Sequence, residues 1–125
     1  MNGNRIMHAS VNVAGRLEEA RAFYEGVLGL SLADRPEVPG IPGYFLKAGD
    51  AQVHLVGAPP SGGPIDPTAA HVCIGVDDIE AAAAELESRA VPYVRGSQGP
   101  GGAVTQIWIA DPAGNTVELQ ADRVL

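Results

Sequence analysis

The feature that most restricts this chain is an internal repeat. His8-Ala9-Ser10-Val11-Asn12-Val13 lies 63 positions ahead of His71-Val72-Cys73-Ile74-Gly75-Val76, and Gln52-Val53-His54-Leu55 lies 64 positions ahead of Thr116-Val117-Glu118-Leu119. Self-similarity at a fixed offset marks a supersecondary unit used more than once. With 125 residues there is room for two such units, and because domains run to about 100–200 residues both are expected inside one domain spanning the whole chain. The stretch Pro59-Pro60-Ser61-Gly62-Gly63-Pro64, continued through Asp66-Pro67, falls between them. Module one is thus expected at about 1–58, a linker at about 59–70 and module two at about 71–125.

Hydrophobic periodicity gives each half the order strand, helix, strand, strand, strand. Residues 6–13 alternate as a strand. Leu17, Ala20, Tyr24 and Val27 then mark one face of a helix over 16–28, with Gly29 where a helix-ending glycine belongs. Extended stretches follow at 30–34, 43–48 and 51–57. In the second half 71–76 is a strand, Asp77 with Glu80 resembles a capping pair, and Ile79, Ala82, Leu86 and Ala90 share a helical face. Strands are expected at 91–95, 104–110 and 115–120, with Asp111-Pro112-Ala113-Gly114-Asn115 as a hairpin turn. The clusters at 35–43 and 96–102 read as loops. The fold class is therefore α+β, two βαβββ modules related by a pseudo-twofold.

Fifteen acidic against eight basic residues leave a net charge of −7 with no basic stripe, which excludes nucleic acid and anionic membranes as natural partners. No apolar run approaches the ~18 residues of a spanning helix, so the expectation is a soluble cytoplasmic protein. Cys73 is the one cysteine, which rules out an intrachain disulfide and a thiolate cluster. Gly99-Pro100-Gly101-Gly102 has no following helix, so it is no phosphate-binding loop.

All three histidines, His8, His54 and His71, fall in predicted strands at equivalent places of the two units, and Glu118 stands where symmetry with His54 puts it. Strand alternation gives each of them a polar face: His8 with Ser10 and Asn12, His54 with Gln52, His71 with Cys73, and Glu118 with Thr116 and Gln120. The aliphatic neighbours point the other way, toward the helices. A single strand histidine is more often a hydrogen-bonded structural residue, and a strand glutamate more often meets solvent. The paired placement is what raises the alternative. If the twofold gathers these strands, three imidazoles and a carboxylate meet, a donor set suited to Ni(II), Co(II), Fe(II), Mn(II) or Zn(II) with positions left for a chelating substrate. Trp108 and Gln106 alternate with Ile107 and Ile109, so they face the same polar wall if the isoleucines face the helix; Tyr44 is a further candidate from 43–48.

With these residues in view, the chain resembles the vicinal oxygen chelate superfamily, the group of glyoxalase I, bleomycin-resistance proteins and extradiol dioxygenases. The resemblance covers nearly the whole chain. It is carried by His8, by Phe23-Tyr24-Glu25-Gly26-Val27-Leu28-Gly29-Leu30, by Gln52-Val53-His54-Leu55, by His71 through Asp78, and by Asp111-Pro112-Ala113-Gly114-Asn115-Thr116-Val117-Glu118-Leu119. It implies curled mixed sheets around a cavity holding one divalent metal ion, with ligand places at His8, His54, His71 and Glu118. Glyoxalase I usually has glutamate at the second place, so His54 is a departure. Short members are commonly homodimers, many with cavities shared between two chains, and a homodimer is expected.

The resemblance further implies a lyase or isomerase that stabilises an enediolate or similar oxyanion of a small carbonyl substrate, with Glu118 as base. Asn12, Tyr44, Gln106 and Trp108 are the expected substrate contacts. Glutathione-using relatives carry arginine where this chain has Asn12, which counts against glutathione. Two alternatives stand beside this reading: a bleomycin-resistance-type binder, for which a charge of −7 suits a cationic ligand, and an Fe(II) dioxygenase using two histidines and the carboxylate.

Overall fold

A computed structural model describes residues 1–60, 65–68, 70–98, 100–102 and 104–121. The chain divides into two compact units, Met1–Ser61 and Gly62–Leu125. Each is a βαβββ unit with one four-stranded mixed sheet, so the fold is α+β. Among the described residues no helix is long and apolar enough to cross a membrane.

In unit one, β1 (His8–Asn12) leads to α1 (Leu17–Ala22), then β2 (Ser31–Ala33), β3 (Gly43–Ala48) and β4 (Ala51–Val56). The sheet order is β1-β4-β3-β2, with β1 parallel to β4 and the other pairs antiparallel. The predicted helix over 16–28 is α-helical only to Ala22; Phe23–Val27 forms a π turn in which the Leu28 N–H donates to Phe23 O at 3.2 Å. The wider turn lets the adjacent aromatics Phe23 and Tyr24 both bury, in edge-on contact at 5.2 Å. Gly29 takes φ 71 just after it, as its place in the sequence predicts. α1 lies against β4, and Val13, Ala20, Tyr24, Leu46, Val53 and Leu55 are the fully buried core.

In unit two, β5 (Val72–Val76) leads to α2 (Ile79–Ser88), then β6 (Tyr93–Gln98), β7 (Val104–Ala110) and β8 (Thr116–Ala121). The order β5-β8-β7-β6 repeats that of unit one, again with the first and last strands parallel. α2 lies against β7 and β8, and its buried residues are Ala83 and Leu86 rather than the whole expected set. Ala90 lies beyond the helix end. The cap also falls one residue later than expected. Asp78, not Asp77, accepts from the Glu80 and Ala81 N–H groups, satisfying two donors that the first turn leaves free. Gly96, expected in a loop, is a residue of β6. The β7–β8 turn is held as its sequence predicts: Asp111 Oδ1 accepts from the Ala113 and Asn115 N–H groups, and Gly114 takes φ 87.

The two registers match. Ser10 faces His54 as Cys73 faces Glu118, and Phe45 faces His54 as Trp108 faces Glu118. The repeat is therefore a repeat of strand pairing as well as of sequence.

Candidate metal centre

Unit one brings His8 and His54 together. β1 and β4 run parallel with Ser10 beside His54, which places His8 one pleat away on the same face. The two imidazoles stack with centroids 4.1 Å apart and planes 15° apart. Phe45, directly opposite on β3, covers the other face of His54 at 3.4 Å and 4°. Beyond it the Arg35 guanidinium lies 5.7 Å over the Phe45 ring while Nη2 donates to Ile41 O at 2.8 Å. Four planar groups thus lie in a row across the sheet. His54 Nε2 donates to Gln52 Oε1 at 2.8 Å. Burial, then the neighbouring charges of His8 and Arg35, push the His54 pKa below the usual histidine range. A neutral imidazole keeps a ring lone pair, which is the form that binds a metal.

Unit two brings His71 and Glu118 together. His71 stands one residue before β5, and Glu118 lies on β8 opposite Cys73. His71 Nε2 is 2.8 Å from Glu118 Oε2, and Gln106 Nε2 donates to Glu118 Oε1. Glu118 is 7% exposed, and among the described residues no Lys or Arg pairs with it. A buried carboxylate in that position needs a cation or a proton nearby. Burial and then the Glu118 charge push the adjacent Cys73 thiol up to about 11.

The expected substrate contacts divide. Gln106 and Trp108 are buried on the Glu118 face, with Ile107 and Ile109 on the other. Asn12 is exposed on the His8 face of β1. Tyr44 is a correction: it pairs in register with Leu55 rather than His54, donates to Glu18 on α1 at 2.5 Å, and lies 4.8 Å under Arg21 of the same helix. It belongs to the helix-covered face. Phe45 occupies the polar face in its place. The signal was present in the repeat, since Phe45 stands 63 positions before Trp108 and Tyr44 the same distance before Ile107.

The donors present fit a divalent transition ion in kind. They are imidazole nitrogens and a carboxylate, one imidazole is pushed toward its neutral form, and among the described residues no Lys or Arg pairs with the carboxylate. The 2.8 Å separation of His71 Nε2 from Glu118 Oε2 is close to the ~3 Å edge between adjacent ligands about 2.1 Å from one ion. Each unit by itself supplies a pair; among the described residues no group of three or more His, Cys, Asp or Glu side chains is gathered for an ion.

A profile of the Glyoxalase/Bleomycin resistance protein/Dioxygenase superfamily matches residues 5–119, and the chain belongs to that superfamily. It is 30% identical over 120 residues to Glyoxylase I 4 of Arabidopsis thaliana, a match covering 91% of this chain and 68% of that protein. It is 32% identical over 100 residues to the mitochondrial methylmalonyl-CoA epimerase of Bos taurus, covering 72% of this chain and 57% of that protein. Among solved structures, a glyoxalase family protein from Bacillus anthracis superposes with TM-score 0.82 at 26% identity, covering 98% of both chains. Lactoylglutathione lyase from Agrobacterium tumefaciens superposes with TM-score 0.74 at 27% identity, covering 98% of this chain and 96% of that one. Of these relatives, one is named as a lyase and one as an epimerase.

Proposed function

We propose that this protein is a metal-dependent lyase or isomerase that moves a proton next to a carbonyl group of a small chelating substrate. The observation that carries the reading is Glu118, a buried carboxylate held by a histidine on one oxygen and an amide on the other. His8, His54, His71 and Glu118 are the residues that would hold one divalent ion, two from each unit, within one chain or between the chains of a homodimer. When bound, such an ion supplies a positive charge that stabilises an oxyanion as it develops.

The chain's own part is the proton. Gln106 Nε2 fixes the plane of the carboxylate through Oε1, which leaves Oε2, the oxygen now facing His71, to accept a proton from the substrate and return it. The burial of Glu118 and Gln106 keeps bulk water from competing for that proton. Asn12, where an arginine would suit glutathione, points to a substrate other than a glutathione conjugate.

The test is exchange of the α-proton of hydroxyacetone or glyceraldehyde in deuterated water, followed by NMR on protein supplied with Ni(II) or Co(II). Glu118→Gln should slow exchange by about a hundredfold or more. Exchange that the variant leaves untouched contradicts the assignment of the base. The net charge of −7 favours one second reading, a sequestering protein for a cationic drug. Tight, metal-independent binding of a bleomycin-type compound that survives His71→Ala would establish it.

A further inference from the structure

Two buried polar atoms beside Glu118 have no hydrogen-bond partner among the described residues: Gln106 Oε1 and Trp108 Nε1. Their residues are 4% and 7% exposed, so bulk water competes little for either. A buried donor or acceptor left unpaired destabilises the fold, and such a cost persists where a bound group offsets it.

Both orientations are fixed by their surroundings. The Glu118 carboxylate can only accept, so the Gln106 amide must turn its NH₂ toward it and its oxygen elsewhere. The benzo edge of the indole rests on β6, where a Cβ built on Gly96 would come 2.8 Å from Cζ3 and 3.1 Å from Cη2 of Trp108. The pyrrole edge, with Nε1, is the opposite one. Gly96 sits across from Gln106 in register, so the absence of a side chain there makes the space the indole fills.

The repeat shows that this arrangement is not required by the sheet. The place of Gln106 in unit one is taken by Gly43, which faces Val56 as Gln106 faces Gln120. The place of Trp108 is taken by Phe45, which has no donor. At these two places the side chains of unit two bring an acceptor and a donor where Gly43 and Phe45 bring neither, and unit one has instead the Arg35 guanidinium beside Gly43 and Phe45.

We propose that Gln106 and Trp108 form a polar subsite for an oxygen-rich small molecule, which gives a hydroxyl proton to Gln106 Oε1 and a carbonyl or carboxylate oxygen to Trp108 Nε1. This rests on the reading of the Glu118 face as the substrate wall and adds the class of group it selects. A purely hydrocarbon chain would leave both atoms unpaired, so hydroxycarbonyl and hydroxycarboxylate compounds are selected over alkyl ones.

The probes are glycerate and propionate, alike in charge but differing in hydroxyls, titrated by calorimetry into the protein as purified. Trp108 is the chain's one tryptophan, so its fluorescence reports binding directly without any substitution. The unaltered protein should bind glycerate about tenfold or more tighter than propionate, with saturable change in emission. Gln106→Leu should remove that preference, and Trp108→Phe should weaken both probes alike. No preference in the unaltered protein, or a preference that Gln106→Leu leaves intact, overturns the subsite.

Nickel content measured on the same samples separates the two claims. Nickel bound equally by the unaltered protein and Gln106→Leu, with the preference unchanged, defeats the subsite and leaves the proposed function standing. A Gln106-dependent preference in protein that takes up no nickel does the reverse.

Discussion

Ala90 sits in the left-handed region, φ 54, at a place where the backbone bonds ask for glycine. α2 ends at Ser88, the Ala90 N–H donates to Glu87 O at 3.1 Å, and the Val91 N–H reaches back to Leu86 O at 2.9 Å. Those two bonds close the helix in the manner of a Schellman motif, whose turning residue is usually glycine because a Cβ there crowds the carbonyl. Ala90→Gly should therefore stabilise the protein by about 1 kcal/mol and raise its melting temperature by about 4 °C; a lower melting temperature would contradict this. Cys73 gives a second residue-level prediction. With its thiol at about 11, only about a thousandth is thiolate at pH 8, against about a quarter for an ordinary cysteine. Iodoacetamide should label it about a hundredfold more slowly than free cysteine, and an equal rate would rule out the raised pKa. At this scale the sequence was legible for which face His8, His54, His71 and Glu118 share with their strand neighbours. It misled at Tyr44, because an aromatic residue in a strand fits either face, and only the register with Leu55 decides.

Among the elements, β6 has little room for change at Gly96. Its Gly96 is where the Trp108 ring lies, and the ring is already buried. Gly96→Ala should cost about 1–3 kcal/mol in chemical denaturation through overpacking, and should shift Trp108 emission in the folded protein. Unchanged stability and emission would mean that the indole does not rest there. Reading 96–102 as a loop followed from treating glycine as punctuation, whereas Gly96 is a strand glycine that makes way for a neighbour. The same distinction explains α1. Leu17, Ala20, Tyr24 and Val27 have helical spacing, but spacing does not reveal a π turn, which depends on Phe23 burying beside Tyr24. The strands themselves were legible because their alternation is strong. Asp78 rather than Asp77 caps α2 because either could supply the carboxylate and only the backbone angles choose.

For the molecule as a whole, the repeat at offsets of 63 and 64 positions is the fact from which the rest was readable. It gave two βαβββ units, the matching sheets carry it into strand order and register, and the superfamily match over residues 5–119 agrees with it. What repetition could not convey is where the halves differ. Position 54 is histidine where its counterpart is Glu118, and Gly43 and Phe45 stand where unit two has Gln106 and Trp108. The Arg35, Phe45, His54, His8 row was not foreseen because Arg35 reaches it from outside any strand.

The central claim, that two donor pairs together hold one ion, is tested most directly by metal analysis of the purified protein after exposure in turn to Ni, Co, Mn, Fe and Zn. The account predicts close to one ion per chain for at least one of them, lost in His8→Ala and in Glu118→Ala alike, since each removes a donor from a different unit. Protein that stays empty with every metal, or binding that both variants retain, would contradict it.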